Sequence, residues 1–140
     1  MKKNLITTLV AQHRELQNNL KCVADQLKIE LPEISKINEC LEEFSVNLTE
    51  HLKLENDTFY VNLLKVMKEK GQDTTKTEKF IAEMNDIAIV VMEFLNKFKG
   101  EEKIKAQIDS LKNELPAIID TLGLRIETEE AGVYAYWGLF

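Results

Sequence analysis

The sequence predicts an all-α protein, an up-down-up-down antiparallel four-helix bundle. Three observations lead there. Chain breakers are scarce, with 5 Gly and 2 Pro among 140 residues, while the helix-compatible Leu, Lys, Glu and Ile abound. Four segments place apolar residues three and four apart, the spacing that gathers them on one helix face. The connections between these segments are short, which sets consecutive helices side by side and antiparallel. No segment alternates as a half-buried strand would.

The first helix is expected over about residues 4–28, with Ile6, Leu9, Leu16, Leu20, Val23 and Leu27 as its inward stripe and His13 within it. Pro32 falls at the break that follows, suited to a new first turn. The second helix is expected over about 33–69, with the stripe Ile34, Ile37, Leu41, Phe44, Leu48, His51, Glu55, Phe59, Leu63 and Val66. Gly71 ends it. The third is expected over about 77–99, with Phe80, Ile81, Met84, Ile87, Ala88, Val91, Phe94, Leu95 and Phe98 inward. The fourth starts near Glu101 and carries Ile104, Ile108, Leu111, Leu115, Ile118, Leu122, Arg125, Glu129 and Val133. Within it Pro116 predicts a kink or restart, because it removes a backbone donor, and Gly123 predicts a weak point or a close approach by a neighbour. The aromatic tail, Tyr134, Tyr136, Trp137 and Phe140, is expected to finish the fourth helix and fold against the bundle. Residues 1–140 make one domain with a real core.

Composition excludes several functions. The chain is 30% charged with a net charge of −6, which disfavours nucleic acid or an anionic membrane as partner. No apolar run approaches the ~18 residues that span a bilayer. Met1-Lys2-Lys3 leads into a mixed polar segment, so no secretion signal is expected. With two cysteines, that points to a reducing cytoplasm. Cys22 and Cys40 stand at similar heights across the first hairpin, beside their stripes; a redox pair is conceivable, and separate half-buried thiols are the expectation. No glycine-rich phosphate loop, Ser-His-Asp pattern or CxxC occurs.

The chemistry gathers at His51-Leu52-Lys53-Leu54-Glu55. Histidine and glutamate four apart stack on one helix face, aiming a nitrogen and an oxygen at one point. An altered copy follows as Arg125-Ile126-Glu127-Thr128-Glu129, and Tyr134 stays in phase with Tyr60, which suggests an internal repeat. His13 and His51 lie almost equally far from the first turn, so an antiparallel hairpin puts them at one level. Two inward histidines with inward Glu55 and Glu129 form a metal-site constellation. Tyr60 and Tyr134 are placed either to donate hydrogen bonds to these carboxylates or simply to pack.

These residues resemble the hemerythrin-like, HHE cation-binding family over essentially the whole chain. The resemblance implies a four-helix bundle that holds two irons bridged by carboxylates and binds or senses dioxygen or iron. His13, His51, Glu55 and Glu129 match the family pattern. Met84 stands where a third-helix histidine is expected and Arg125 where a fourth-helix histidine is expected. In the family those two histidines serve one metal, so an intact di-iron centre is not expected here. Two outcomes stay open. His13, His51, Glu55 and Glu129 hold one Fe(II), Mn(II) or Zn(II) for sensing or storage, or no metal binds and the Arg125 guanidinium neutralises Glu55 and Glu129. The expectation falls on the second: a non-enzymatic binding or regulatory module, with the aromatic tail exposed as a docking surface for a second copy or another protein.

Overall fold

The computed structural model describes residues 2–139, with side chains from Asn4 onward. Phe140 of the aromatic tail lies outside the described residues. The described chain is helical throughout apart from short connections. Helix α1 (Lys2–Leu27) and helix α2 (Ile34–Leu54) form the first hairpin. A π-helical turn (Glu55–Phe59) joins α2 directly to α3 (Tyr60–Glu69), so the expected second helix is continuous in space. Helix α4 (Thr75–Lys97) follows, then a short α5 (Glu101–Ala106), the long α6 (Ile108–Ala131) and a terminal α7 (Val133–Trp137).

The expected connections form for the expected reasons. Gly71 takes φ +70° at the end of α3, a backbone conformation that costs glycine nothing. There the Gln72 N–H reaches back to the Met67 carbonyl at 2.8 Å. At two other positions the structure shows neither the expected restart nor the expected close approach. Helix α6 runs unbroken through Pro116, and the fourth helix breaks instead at Gln107 and Gly132. Nothing lies within 4 Å of a Cβ built on Gly123, so no neighbour approaches there. Gly132 is the glycine that matters: a Cβ on it would meet the Thr128 carbonyl oxygen at 2.8 Å. Its backbone lets α7 turn back onto the bundle.

The core has two apolar clusters. The larger contains Leu16, Leu20, Val23, Ile37, Phe44, Val91, Phe98, Ile104, Leu111 and Leu115. The smaller contains Leu9, Phe59, Tyr60, Leu63, Met67, Tyr134 and Trp137. Of the aromatic tail, Tyr134 and Trp137 fold against the bundle and are buried, while Tyr136 is half-buried. The Phe59 ring meets both of them edge-on, at 5.1 and 5.9 Å, a geometry that aromatic quadrupoles favour. Met84 is buried on α4.

Cys22 and Cys40 are not separate thiols. They form a disulfide between α1 and α2, with Cα atoms 6.4 Å apart, inside the range a bridge can span. The hairpin sets the two residues level, as their spacing about the turn requires. The cysteines therefore no longer speak for a reducing compartment. No described helix is long and apolar enough to cross a membrane.

Candidate metal centre

Between the two apolar clusters lies a polar layer. His13 comes between Leu9 and Leu16 on α1, and His51 one turn beyond Leu48 on α2. Glu55 opens the π turn, and Glu129 stands two turns beyond Leu122 on α6. All four are buried, at 1%, 3%, 1% and 2% relative exposure. Each offers a ligand atom, and these atoms lie within 4.8 Å of one another. The four residues singled out in the sequence thus converge on one point.

The π turn is the local reason. Its extra residue carries the hydrogen bond from the Tyr60 N–H to the Glu55 carbonyl, and π turns of this kind recur at functional sites. It widens the inward face, so that consecutive Phe59 and Tyr60 are both buried. Periodicity alone does not reveal it.

Each imidazole is oriented from behind. His51 Nδ1 lies 2.8 Å from the Gln12 side-chain oxygen, and His13 Nδ1 lies 2.8 Å from Glu130 Oε2. An amide oxygen and a carboxylate accept only, so each Nδ1 carries its hydrogen and each Nε2 is turned to the cluster. His51 Nε2 sits 3.1 Å from Glu55 Oε2, and His13 Nε2 sits 2.9 Å from Glu129 Oε1. Glu130 is itself held by the Arg14 guanidinium. Gln12 and Glu130 were missed in the sequence. Each neighbours a site residue on its helix, at Gln12-His13 and Glu129-Glu130, and that adjacency was the available signal.

Both tyrosines reach the carboxylates. Tyr60 donates to Glu129 Oε2 at 2.5 Å. The Tyr134 hydroxyl lies 2.6 Å from Glu55 Oε2, 2.9 Å from Glu129 Oε1 and 3.3 Å from His13 Nε2. Burial, then the charges of Glu55 and Glu129, push both phenols far above their ordinary range. Burial, and next the charge of Glu129, hold the Glu55 carboxyl well above the usual carboxylate range. Burial also raises Glu129, but hydrogen bonds from His13, Glu55 and Tyr60 outweigh it and bring the group down to about 2. One carboxyl is thus held as the acid and its neighbour as the base, as for two carboxylates at close quarters. Burial lowers His51, against an opposing pull from Glu129.

Arg125 departs from expectation. It does not lie between Glu55 and Glu129, whose partners are the imidazoles and phenols. Its Nη2 donates to Glu83 Oε2 at 2.9 Å, and its Cζ stands 4.4 Å from the centroid of the Phe80 ring. The inward residue on this turn is Ile126, which is buried where Arg125 is only partly so. Arg125 flanks the stripe and faces α4.

Four buried nitrogen and oxygen donors at one point, two of them imidazoles held by outer partners, define a helical bundle built to hold a cation. Residues 4–137 match the model of the hemerythrin HHE cation binding domain. The chain belongs to that family. Comparison with curated proteins and with solved structures gives no match.

The residues fit one ion. Imidazole nitrogens and carboxylate oxygens suit Fe(II), Mn(II) or Zn(II), and the outer hydrogen bonds that metal-bound histidines need are already in place. Among the described residues helix α4 adds no histidine, cysteine or carboxylate to the cluster, and Arg125 is turned to Glu83.

Proposed function

We propose that the domain binds one first-row transition metal ion, iron foremost, through His13, His51, Glu55 and Glu129. In this reading it works as a binding or regulatory module without enzymatic turnover. The observation that supports it is the convergence of four buried donors with no lysine or arginine among the described residues paired to them, Arg125 being paired with Glu83. Two carboxylates in such a layer need protons or positive charge.

The bound ion supplies Lewis acidity and, if iron, one-electron chemistry. The chain's own residues do the rest. Gln12 and Glu130 hold the imidazoles in the binding tautomer. Glu55 gives up the proton that burial helps it keep, and the apolar clusters on either side exclude water. The ligands come from α1, α2 with its π turn, and α6, so occupancy ties the first hairpin to the last long helix. Stability that depends on the ion is a means of regulation, and the near-complete burial of the donors supports binding over turnover.

The test is titration of the metal-free chain with Fe(II), Mn(II) and Zn(II). At one hundred times the dissociation constant an ion stabilises by about 2.7 kcal/mol. An unfolding entropy of about 2.1 cal/mol/K per residue over 140 residues turns that into a rise of about 9 °C in Tm. His51→Ala should abolish the rise. An unchanged response in that variant refutes the ligand assignment.

A further inference from the structure

We propose that Tyr134 is a fifth ligand, its phenolic oxygen joining the two imidazoles and two carboxylates around one ion, and that this set selects ferric iron. The inference rests on the single-ion reading above and deepens it.

The argument is geometric. Ligand atoms about 2.1 Å from one ion and at right angles to each other are about 3.0 Å apart. The close pairs in this cluster have that separation: His13 Nε2 to Glu129 Oε1 is 2.9 Å and His51 Nε2 to Glu55 Oε2 is 3.1 Å. The Tyr134 hydroxyl extends the same pattern. It lies 2.6, 2.9 and 3.3 Å from Glu55 Oε2, Glu129 Oε1 and His13 Nε2, within reach of three of the four ligands at their inward atoms. Tyr60 is different. It donates to Glu129 through Oε2, the oxygen not paired with His13, and also interacts with the Glu55 carboxyl; among the described residues it bonds to neither imidazole.

The ring is held for this task. It stacks on His13 with planes 10° apart and takes the Phe59 edge at 5.1 Å. Gly132 permits the turn into α7 that brings Tyr134 back to the layer, where a Cβ would collide with the Thr128 carbonyl. On ligation the hydroxyl proton leaves to solvent and the oxygen keeps the electron pair it gives to the ion. Two carboxylates and a phenolate then carry three negative charges, which match a trivalent ion better than a divalent one, and hard oxygen donors favour the same choice.

The experiment loads the full chain with Fe(III) from its nitrilotriacetate chelate. After desalting, bound metal is measured by elemental analysis and the visible spectrum and phenolate resonance-Raman modes are recorded. The expected result is one iron per chain with a phenolate-to-iron charge-transfer band. Tyr134→Phe, which keeps the ring and its packing, should still bind an ion but lose the band, and Tyr60→Phe should keep it. Iron bound without the band, a band that survives Tyr134→Phe, or uptake of Zn(II) or Mn(II) but not Fe(III) overturns the Tyr134 assignment and leaves the single-ion site standing. Failure to take up any of these ions overturns both.

Discussion

Replacing Arg125 by leucine separates two accounts of the same residue. In the structure the guanidinium is largely covered, with 14% of the side chain exposed, but its partner Glu83 is 49% exposed. An ion pair with a half-exposed partner is worth about 0.2–1 kcal/mol after solvent screening. The contact with the Phe80 ring adds about 0.5–1 kcal/mol. Against these stands a buried Nε with no hydrogen-bond partner among the described residues, whose desolvation cost vanishes on substitution. Leucine retains much of the stem's packing. The net loss is therefore about 1 kcal/mol, a fall of roughly 3–4 °C in Tm for a chain of this length. Were the guanidinium instead neutralising Glu55 and Glu129, its removal would strand two buried charges and cost about 3–5 kcal/mol, or more than 10 °C. Thermal melts of metal-free Arg125→Leu, repeated at high salt and in a Glu83→Gln background, decide the matter. A loss near the larger figure, or one that ignores Glu83→Gln, would refute the assignment of Arg125 to the α4 face.

Other perturbations test the layer from different sides. Glu130→Ala should weaken ion binding by about 10–100-fold by freeing His13 to turn, while Glu130→Gln, which keeps an acceptor, should recover most of it in calorimetric titration. Metal-free protein should lose stability as pH rises from 4.5, the ordinary value for glutamate, toward the raised value of Glu55. The folded chain there holds a proton that the unfolded chain has released; denaturant melts should show this slope, and Glu55→Gln should remove it. Cys22→Ser should cost about 3 kcal/mol from the loop closed across a sequence separation of 18. The bridge lies more than two helical turns from either histidine, so metal stoichiometry should be unchanged.

The bundle was legible in the sequence because its signal is carried many times over. Leu9, Leu16, Leu20 and Val23 on α1, or Leu111, Leu115, Ile118 and Leu122 on α6, each fix the same face. The four clustered residues were legible because charged and imidazole side chains break such a run of apolar residues. What failed had only one residue to announce it. Arg125 and Ile126 differ by a single step around the helix, so a stripe read at three-four spacing could pass through either; burial chose the isoleucine. The π turn changes the hydrogen-bond register without changing composition. The disulfide needs the height of two thiols across a hairpin and their mutual orientation, and spacing gives only the height. Pro116 predicts a kink or restart, and α6 shows no restart there.

These corrections change what holds the polar layer together. With Arg125 removed from it, no permanent cation among the described residues is paired with Glu55 or Glu129. The metal-free layer is satisfied by hydrogen bonds: the phenols of Tyr60 and Tyr134 donate to Glu129 and Glu55, and His13 Nε2 lies 2.9 Å from Glu129 Oε1. Such a network is closed, because each buried carboxylate has donors, and an apolar cluster flanks it on either side. An ion then replaces protons rather than filling a void, so its affinity must fall with acidity. The chain is therefore expected to be a stable helical bundle in both states, stiffened and proton-depleted in one of them. The readout separating the states is the coupling between the first hairpin and α6, where hydrogen-exchange protection should rise on ion binding and change least at the far end, around Phe98 and Ile104.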